Sequence, residues 1–326
     1  MQRRKLSALV ATLVGSLWFA GSMAQVPPYP SKPIRLVVGF APGGNTDVVA
    51  RLVAARVSTE LGQPITIENK SGAAGNLASE AVARATPDGY TLIAGNLTTH
   101  VLSIGLYKLR FDVEKDFAPI ALIGRTPVLL AVSNAAGASD LPSFVKLLKD
   151  KPGKLNYASA GNGGLGHLSA VMFNNAVGAQ AQHVPYGGGA AALADLIEGR
   201  VDYLFDGLST LGPYAAAGKL KILATAASKR DPKLPAVPTF AEAGMPGMEL
   251  ATWNAWFAPA ATPPEVVAQI NAAVGKALQD PALATSLTKV GNEVAPPMPL
   301  AAVAEFVHNE RKKWLPVVKA SGVKLD

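Results

Sequence analysis

Residues 34–62 read IRLVVGFAPGGNTDVVARLVAARVSTELG, and the order of features in this stretch decides the fold. An apolar strand-like run at 34–39 ends in a glycine-rich loop. Val49, Val53, Val57 and Leu61 then recur every fourth residue, so 45–61 is predicted as an amphipathic helix closed by Gly62. Strand-like runs return at 65–68 and 91–94. Between them a second helix follows Gly75, with Leu77, Ala81 and Val82 expected to face inward, and stops at Pro87-Asp88-Gly89. Strands and helices alternating in this order imply a parallel sheet.

The loop has the spacing of a phosphate loop, Gly39, four residues, Gly44, but Asn45 stands where that loop carries its Lys. A helix N-terminus behind such a turn offers unpaired N–H groups and about half a positive charge. Without a cation this suits a carboxylate better than a triphosphate, with Asn45 and Thr46 as side-chain donors. The alternative is purely local: Asn45 caps the helix, Asp47 complements its dipole and the glycines make a turn.

The alternation changes at 119–132, where two apolar runs flank Arg125-Thr126-Pro127 and a crossing between domains is expected. A second series follows: helix 140–149, strand 155–158, helix 166–177, strand 183–185, helix 189–198, and strands 201–205 and 220–225. Residues 251–259 look like the return crossing, and helices 264–278, 280–289 and 301–319 complete the chain. The expected fold is α/β, a clam shell of two lobes with mainly parallel sheets joined by two hinge crossings. Residues 25–124 and 252–326 form one lobe and 125–251 the other. Ligands of open parallel sheets bind beyond the carboxyl ends of the strands. The loops at those ends come from both lobes, which puts the site in the cleft between them.

Composition removes several chemistries. The chain has no Cys, which excludes disulfides, thiolate metal sites and Cys nucleophiles. Four His in no HExxH or similar cluster predict no metal site, and no cofactor is expected. Gly161 to Gly166 satisfies GxGxxG, but the following strand ends His183-Val184-Pro185-Tyr186 without the acid that a dinucleotide ribose needs. His167, in the first turn of its helix, either donates to a ligand oxygen or is simply packed. His183 is read as structural. Trp253 and Trp256 are expected to pack at the hinge. At the N-terminus, Arg3, Arg4 and Lys5 precede an apolar run at 6–21 and then Ser22-Met23-Ala24, an export signal cleaved before Gln25. Its loss lowers the excess of Lys and Arg over Asp and Glu from +7 to +4. No basic run reads as a nucleic-acid footprint.

Several stretches carry a resemblance in the same order over essentially all of the mature chain. YPSKPIRLVVGFAPGGNTDVVAR (29–51), LGQPITIENKSGAAGN (61–76), ATPDGYTL (85–92), KDFAPIALIG (115–124), PGKLNYASAGNGG (152–164), HVPYGGGAAAL (183–193), LPAVPTFAEAG (234–244) and WFAPAATP (256–263) resemble the substrate-binding proteins of tripartite tricarboxylate transporters, the Bug or TctC-type receptors.

The resemblance implies a periplasmic-binding-protein-like clam shell, monomeric, that captures a small carboxylate and delivers it to a membrane permease rather than acting as an enzyme. It implies binding roles for Phe40, Gly43, Gly44, Asn45, Thr46 and Asp47 in the first loop. Thr98, Thr99, Ala160, Gly161 and His167 follow, and then Pro185, Tyr186, Gly188 and Asp206. Rival expectations are a receptor feeding a signalling sensor, or a periplasmic hydrolase or isomerase using Asp206 and His167. The family commonly has Lys at Gly187, Pro at Ala191, Ser or Thr at Gly164 and an acid at Val171. These differences either admit a bulkier, less polar ligand body or are drift on a solvent-facing loop.

Overall fold

The computed structural model describes residues 29–321 together with Val323 and Leu325. The expected export signal and its cleavage point before Gln25 lie outside the described residues. The first unit comprises β1 (Ile34–Val38), α1 (Asn45–Leu61), β2 (Ile65–Asn69), α2 (Asn76–Ala83) and β3 (Thr91–Asn96). A π-helical turn, Thr98–Leu102, runs into the short α3 (Ser103–Leu106). Then β4 (Phe117–Pro127) is followed almost at once by β5 (Leu129–Ser133). The second unit continues with α4 (Leu141–Asp150), β6 (Asn156–Ser159), α5 (Leu165–Val177) and β7 (Gln182–Pro185). It ends with α6 (Gly189–Ile197), β8 (Tyr203–Asp206), α7 (Leu208–Ala216) and β9 (Leu220–Thr225). The return strand β10 (Ala251–Pro259) precedes α8 (Pro264–Leu278), α9 (Pro281–Lys289), β11 (Glu293–Val294) and α10 (Leu300–Ala320).

These strands make two sheets, ordered β11-β4-β10-β3-β1-β2 and β7-β6-β8-β5-β9. The sheets are mixed, not mainly parallel as expected. β1 pairs β2 and β3 in parallel, and β6 pairs β7 and β8 in parallel. The crossing strands β4, β5 and β10 pair antiparallel because the chain leaves the first sheet along β4 and re-enters it alongside, along β10. At the crossing, Val128 N–H donates to the Leu250 carbonyl at 3.2 Å, and Ala226 N–H donates to the Val128 carbonyl at 2.8 Å.

α1 follows its predicted register, burying Val49, Val53 and Val57, and Gly62 ends it at φ 67° where a Cβ would be strained. α2 does not. Its inward residues are Ala78, Ser79 and Val82, while Ala81 is exposed and Leu77 folds back over Gly72. One residue of register turns a helix face by about 100°. Trp253 and Trp256 are almost fully buried on β10, as the hinge reading expects. Behind them α10 fastens the crossing strands through Glu310. Its Oε2 accepts the indole N–H of Trp253 at 3.0 Å and of Trp314 at 3.2 Å, and Arg125 of β4 lies 3.5 Å from Oε1.

Candidate functional site

Four helices from the two lobes begin at one chamber of about 80 Å³. Gly44 caps α1 at φ −75°, ψ 165°, Gly164 caps α5 at −67°, 164°, and Gly207 caps α7 at −78°, 163°. Gly188 caps α6 in extended backbone. None of the four caps supplies a side-chain hydrogen bond, so most of the first-turn N–H groups are left for something else, the Leu165 N–H to Thr98 being an exception. Gly44, Gly164, Gly189 and Gly207 line the chamber. The local reading of Asn45 as the cap is therefore corrected, since Asn45 is the first helical residue. Its Oδ1 instead accepts from Ser209 Oγ of α7 at 3.0 Å, across the cleft, and its Nδ2 has no partner.

The loops before α1 and α5 are conformational twins. Gly43 and Gly163 have φ of 83° and 72°, the left-handed region that favours glycine. In each loop that glycine's N–H is held by the side chain four residues on. Gly43 N–H donates to Asp47 Oδ2 and Gly163 N–H donates to His167 Nδ1, both at 2.9 Å. Burial alone would raise the Asp47 carboxyl, but Arg51, the Gly43 N–H and Asn69 outweigh it and hold it below the usual range. The His167 ring stacks on His183 with centroids 3.8 Å apart. Burial, with His183 beside it, pushes His167 down to about 4. Its Nδ1 accepts, so the neutral ring carries its proton on Nε2. Asp47 and His167, expected to touch ligand, thus stand behind the two loops as locks.

Thr46 lines the chamber, its Oγ1 accepting from Asn96 Nδ2 at 2.9 Å. The π-helical turn splits the Thr98-Thr99 pair. Thr98 Oγ1 accepts the Leu165 N–H at 3.3 Å and lines the chamber. Thr99 turns inward to Asn96 and His100. Asp206 is the one charged residue of this lining. Its Oδ1 accepts the Gly207 N–H at 2.7 Å, and burial pushes its carboxyl up to about 6 against that bond. Phe40 and Ala160 also line a second chamber of about 260 Å³, walled by Gly161, Pro185 and Tyr186. Gly43 and Gly188 line neither, and Gly188 packs against Ala41.

Sequence reasoning missed Asn96, Val128 and Thr252 in the inner lining and the 3-10 turn Ala73–Gly75 in the outer one. Thr252 reaches the site only because β10 returns beside β4. Ala73 and Ala74 sit at φ 46° and 53°, which nothing about two alanines announces. A larger concavity, about 790 Å³ beside α7 and β9, has none of the four capping glycines in its lining. Among the described residues no group of three or more His, Cys, Asp or Glu could hold a metal ion.

Buried neutral histidines set an expected pH response. Burial, with Arg311 adding, pushes His100 down to about 3, and burial puts His167 and His183 near 4, against an ordinary 6.5. The unfolded chain takes up these protons first. Stability is therefore full above about pH 6.5 and is lost as pH falls toward 4, by up to about 1.4 kcal/mol per unit for each group. Asp206 runs the other way, its penalty fully present above pH 6 and relieved below it. Urea unfolding at pH 7.5 and 5.0 is expected to show a net loss at the lower pH, and equal stability would contradict the three-histidine account.

The tripartite tricarboxylate transporter receptor model (TctC) matches residues 49–323. MatC (Rpa3494) from Rhodopseudomonas palustris, solved with bound malate, is 41% identical with a TM-score of 0.85, over 89% of this chain and 100% of that one. The R. palustris protein Rpa4515, solved with adipate, is 36% identical with a TM-score of 0.88, over 91% and 100%. The periplasmic binding protein BugD is 32% identical with a TM-score of 0.88 over the same shares. One of these relatives is a periplasmic binding protein, and the other two hold small carboxylates. With that fold and with its helix starts converging between two lobes, this chain belongs to the TctC family of tripartite tricarboxylate transporter receptors.

Proposed function

We propose that this protein is a non-catalytic periplasmic receptor, exported with cleavage before Gln25, that captures a small carboxylate between its lobes and passes it to a tripartite membrane permease. The observation that carries this reading is the convergence of four helix N-termini without side-chain caps, two lobes contributing, on a chamber that has no cation. Each N-terminus brings about half a positive charge and free N–H donors, which together suit one carboxylate. Hydrolysis or isomerisation by Asp206 and His167 is not favoured by the geometry, because His167 Nδ1 is committed to Gly163 and its ring lies outside the chamber lining.

The test starts from protein recovered from the periplasmic fraction with an intact mass beginning at Gln25. Calorimetric titration with malate, adipate, benzoate and their amides is expected to find a carboxylate ligand whose amide binds about 10- to 100-fold more weakly. That range is the worth of hydrogen bonds to a charged group. The ligand should be recovered unchanged. An amide that binds as tightly as its acid ends the carboxylate reading, and a chemically altered ligand ends the receptor reading.

A further inference from the structure

The chambers that meet at Phe40 and Ala160 differ in chemistry. The inner one has the helix N-termini and Asp206. The outer one has no charged side chain in its lining. Two phenols wall it, but both hydroxyls are spent elsewhere. Tyr107 donates to the Asn162 carbonyl, and Tyr186 donates to Asp195 Oδ2 at 2.5 Å. What the two rings have left for the chamber is carbon. At its floor, the turn Ala73–Gly75 is closed by the Gly75 N–H donating to the Gly72 carbonyl at 2.9 Å. The polar side chain of the lining, Asn162, sits at its exposed rim.

Size separates the chambers as well. About 80 Å³ accepts a carboxylate and little more, whereas about 260 Å³ is well above the roughly 150 Å³ of an apolar cavity that holds benzene. A second carboxylate in the outer chamber would lose hydration without meeting a cation or any charged side chain. From the geometry we infer that the ligand is a monocarboxylate with an uncharged, ring-sized body. The carboxylate meets the helix N-termini, and the body fills the space between Phe40, Ala74, Tyr107 and Tyr186. This rests on the carboxylate-receptor reading and narrows it, setting this chain apart from its malate- and adipate-bound relatives.

Gly187 provides the test. It lines the outer chamber, its φ is outside the left-handed region, and a Cβ there would have nothing within 4 Å. Gly187→Lys therefore adds a cation at the chamber without strain. Calorimetry on wild type is expected to show benzoate or cyclohexanecarboxylate binding at least about tenfold more tightly than succinate or adipate. Gly187→Lys is expected to improve the better dicarboxylate by about tenfold or more while leaving the ring acids within about threefold. A wild type that prefers either dicarboxylate, or a Lys variant with unchanged preference, overturns the inference and leaves the carboxylate receptor standing. Benzamide binding as tightly as benzoate overturns the carboxylate reading itself, and no binding by any probe removes both.

Discussion

Replacing Glu310 with Leu is expected to destabilise the protein by about 2–6 kcal/mol, the cost of two buried donors left without an acceptor. Glu310 is 7% exposed and gathers three donors, the indoles of Trp253 and Trp314 and the guanidinium of Arg125. Leu keeps the volume but leaves two indole N–H groups without an acceptor in a core where Trp253 and Trp314 are 1% and 2% exposed. Each such group costs about 1–3 kcal/mol. Arg125 is half exposed and is solvated when released, so it adds little. Glu310→Gln keeps an acceptor and is expected to lose less than half as much. Urea titration measures both, and a Leu variant within about 1 kcal/mol of wild type would falsify the role assigned to this strap. The position matters beyond stability, because two partners of Glu310, Arg125 and Trp253, sit on β4 and β10, the strands that cross between the two sheets.

Gly44→Val is expected to abolish carboxylate binding, by at least about 100-fold or 2.7 kcal/mol, with little effect on folding. At φ −75° and ψ 165° the backbone accepts any residue, and the only atom near a new Cβ is the Ala41 carbonyl oxygen at 3.6 Å. Gly44 is nonetheless buried and lines the chamber, so the isopropyl group enters the cavity itself. Its three carbons, each about the 30 Å³ of a water, are together as large as the roughly 80 Å³ available. The stability cost is that of a poorer helix start, about 1 kcal/mol. Gly164→Val in the twin loop, where a new Cβ would meet only the Gly161 carbonyl oxygen at 3.4 Å, is expected to behave alike. A Gly44→Val protein that melts normally and binds its carboxylate within threefold of wild type would show that this chamber is not where the ligand sits.

Regular segments were legible in the sequence because their signals are periodic. The 45–61 helix was readable from its valines and from Gly62, and α1 spans Asn45–Leu61. α7 was not, because Gly207, Gly212 and Pro213 interrupt its pattern and its stability comes from packing Leu208 and Leu211 inward. The mixed sheets were hidden for another reason, since pairing direction depends on where the chain returns and not on local composition. Within the site, Gly44, Asn45 and Thr46 could be read from loop spacing and Asp206 from a strand end. The roles of Asp47 and His167 could not. An acid and a histidine at matching positions do the same work on two loops, and only the shared hydrogen-bond geometry reveals it.

The uncapped helix starts have a consequence for how such a receptor changes over time. Most binding sites are written in side chains, and one substitution can erase the contact that recognises the ligand. Here the carboxylate would be gripped by main-chain N–H groups, which every non-proline residue carries and no ordinary substitution removes. Mutation can block that grip, as a valine at Gly44 would, but cannot easily delete it. The rest of the ligand, by contrast, would face a wall that is made of side chains and includes one glycine with room beside it, Gly187. Anchor and address are thus separate: new substrates can be tried one substitution at a time at the address without putting the anchor or the fold at risk.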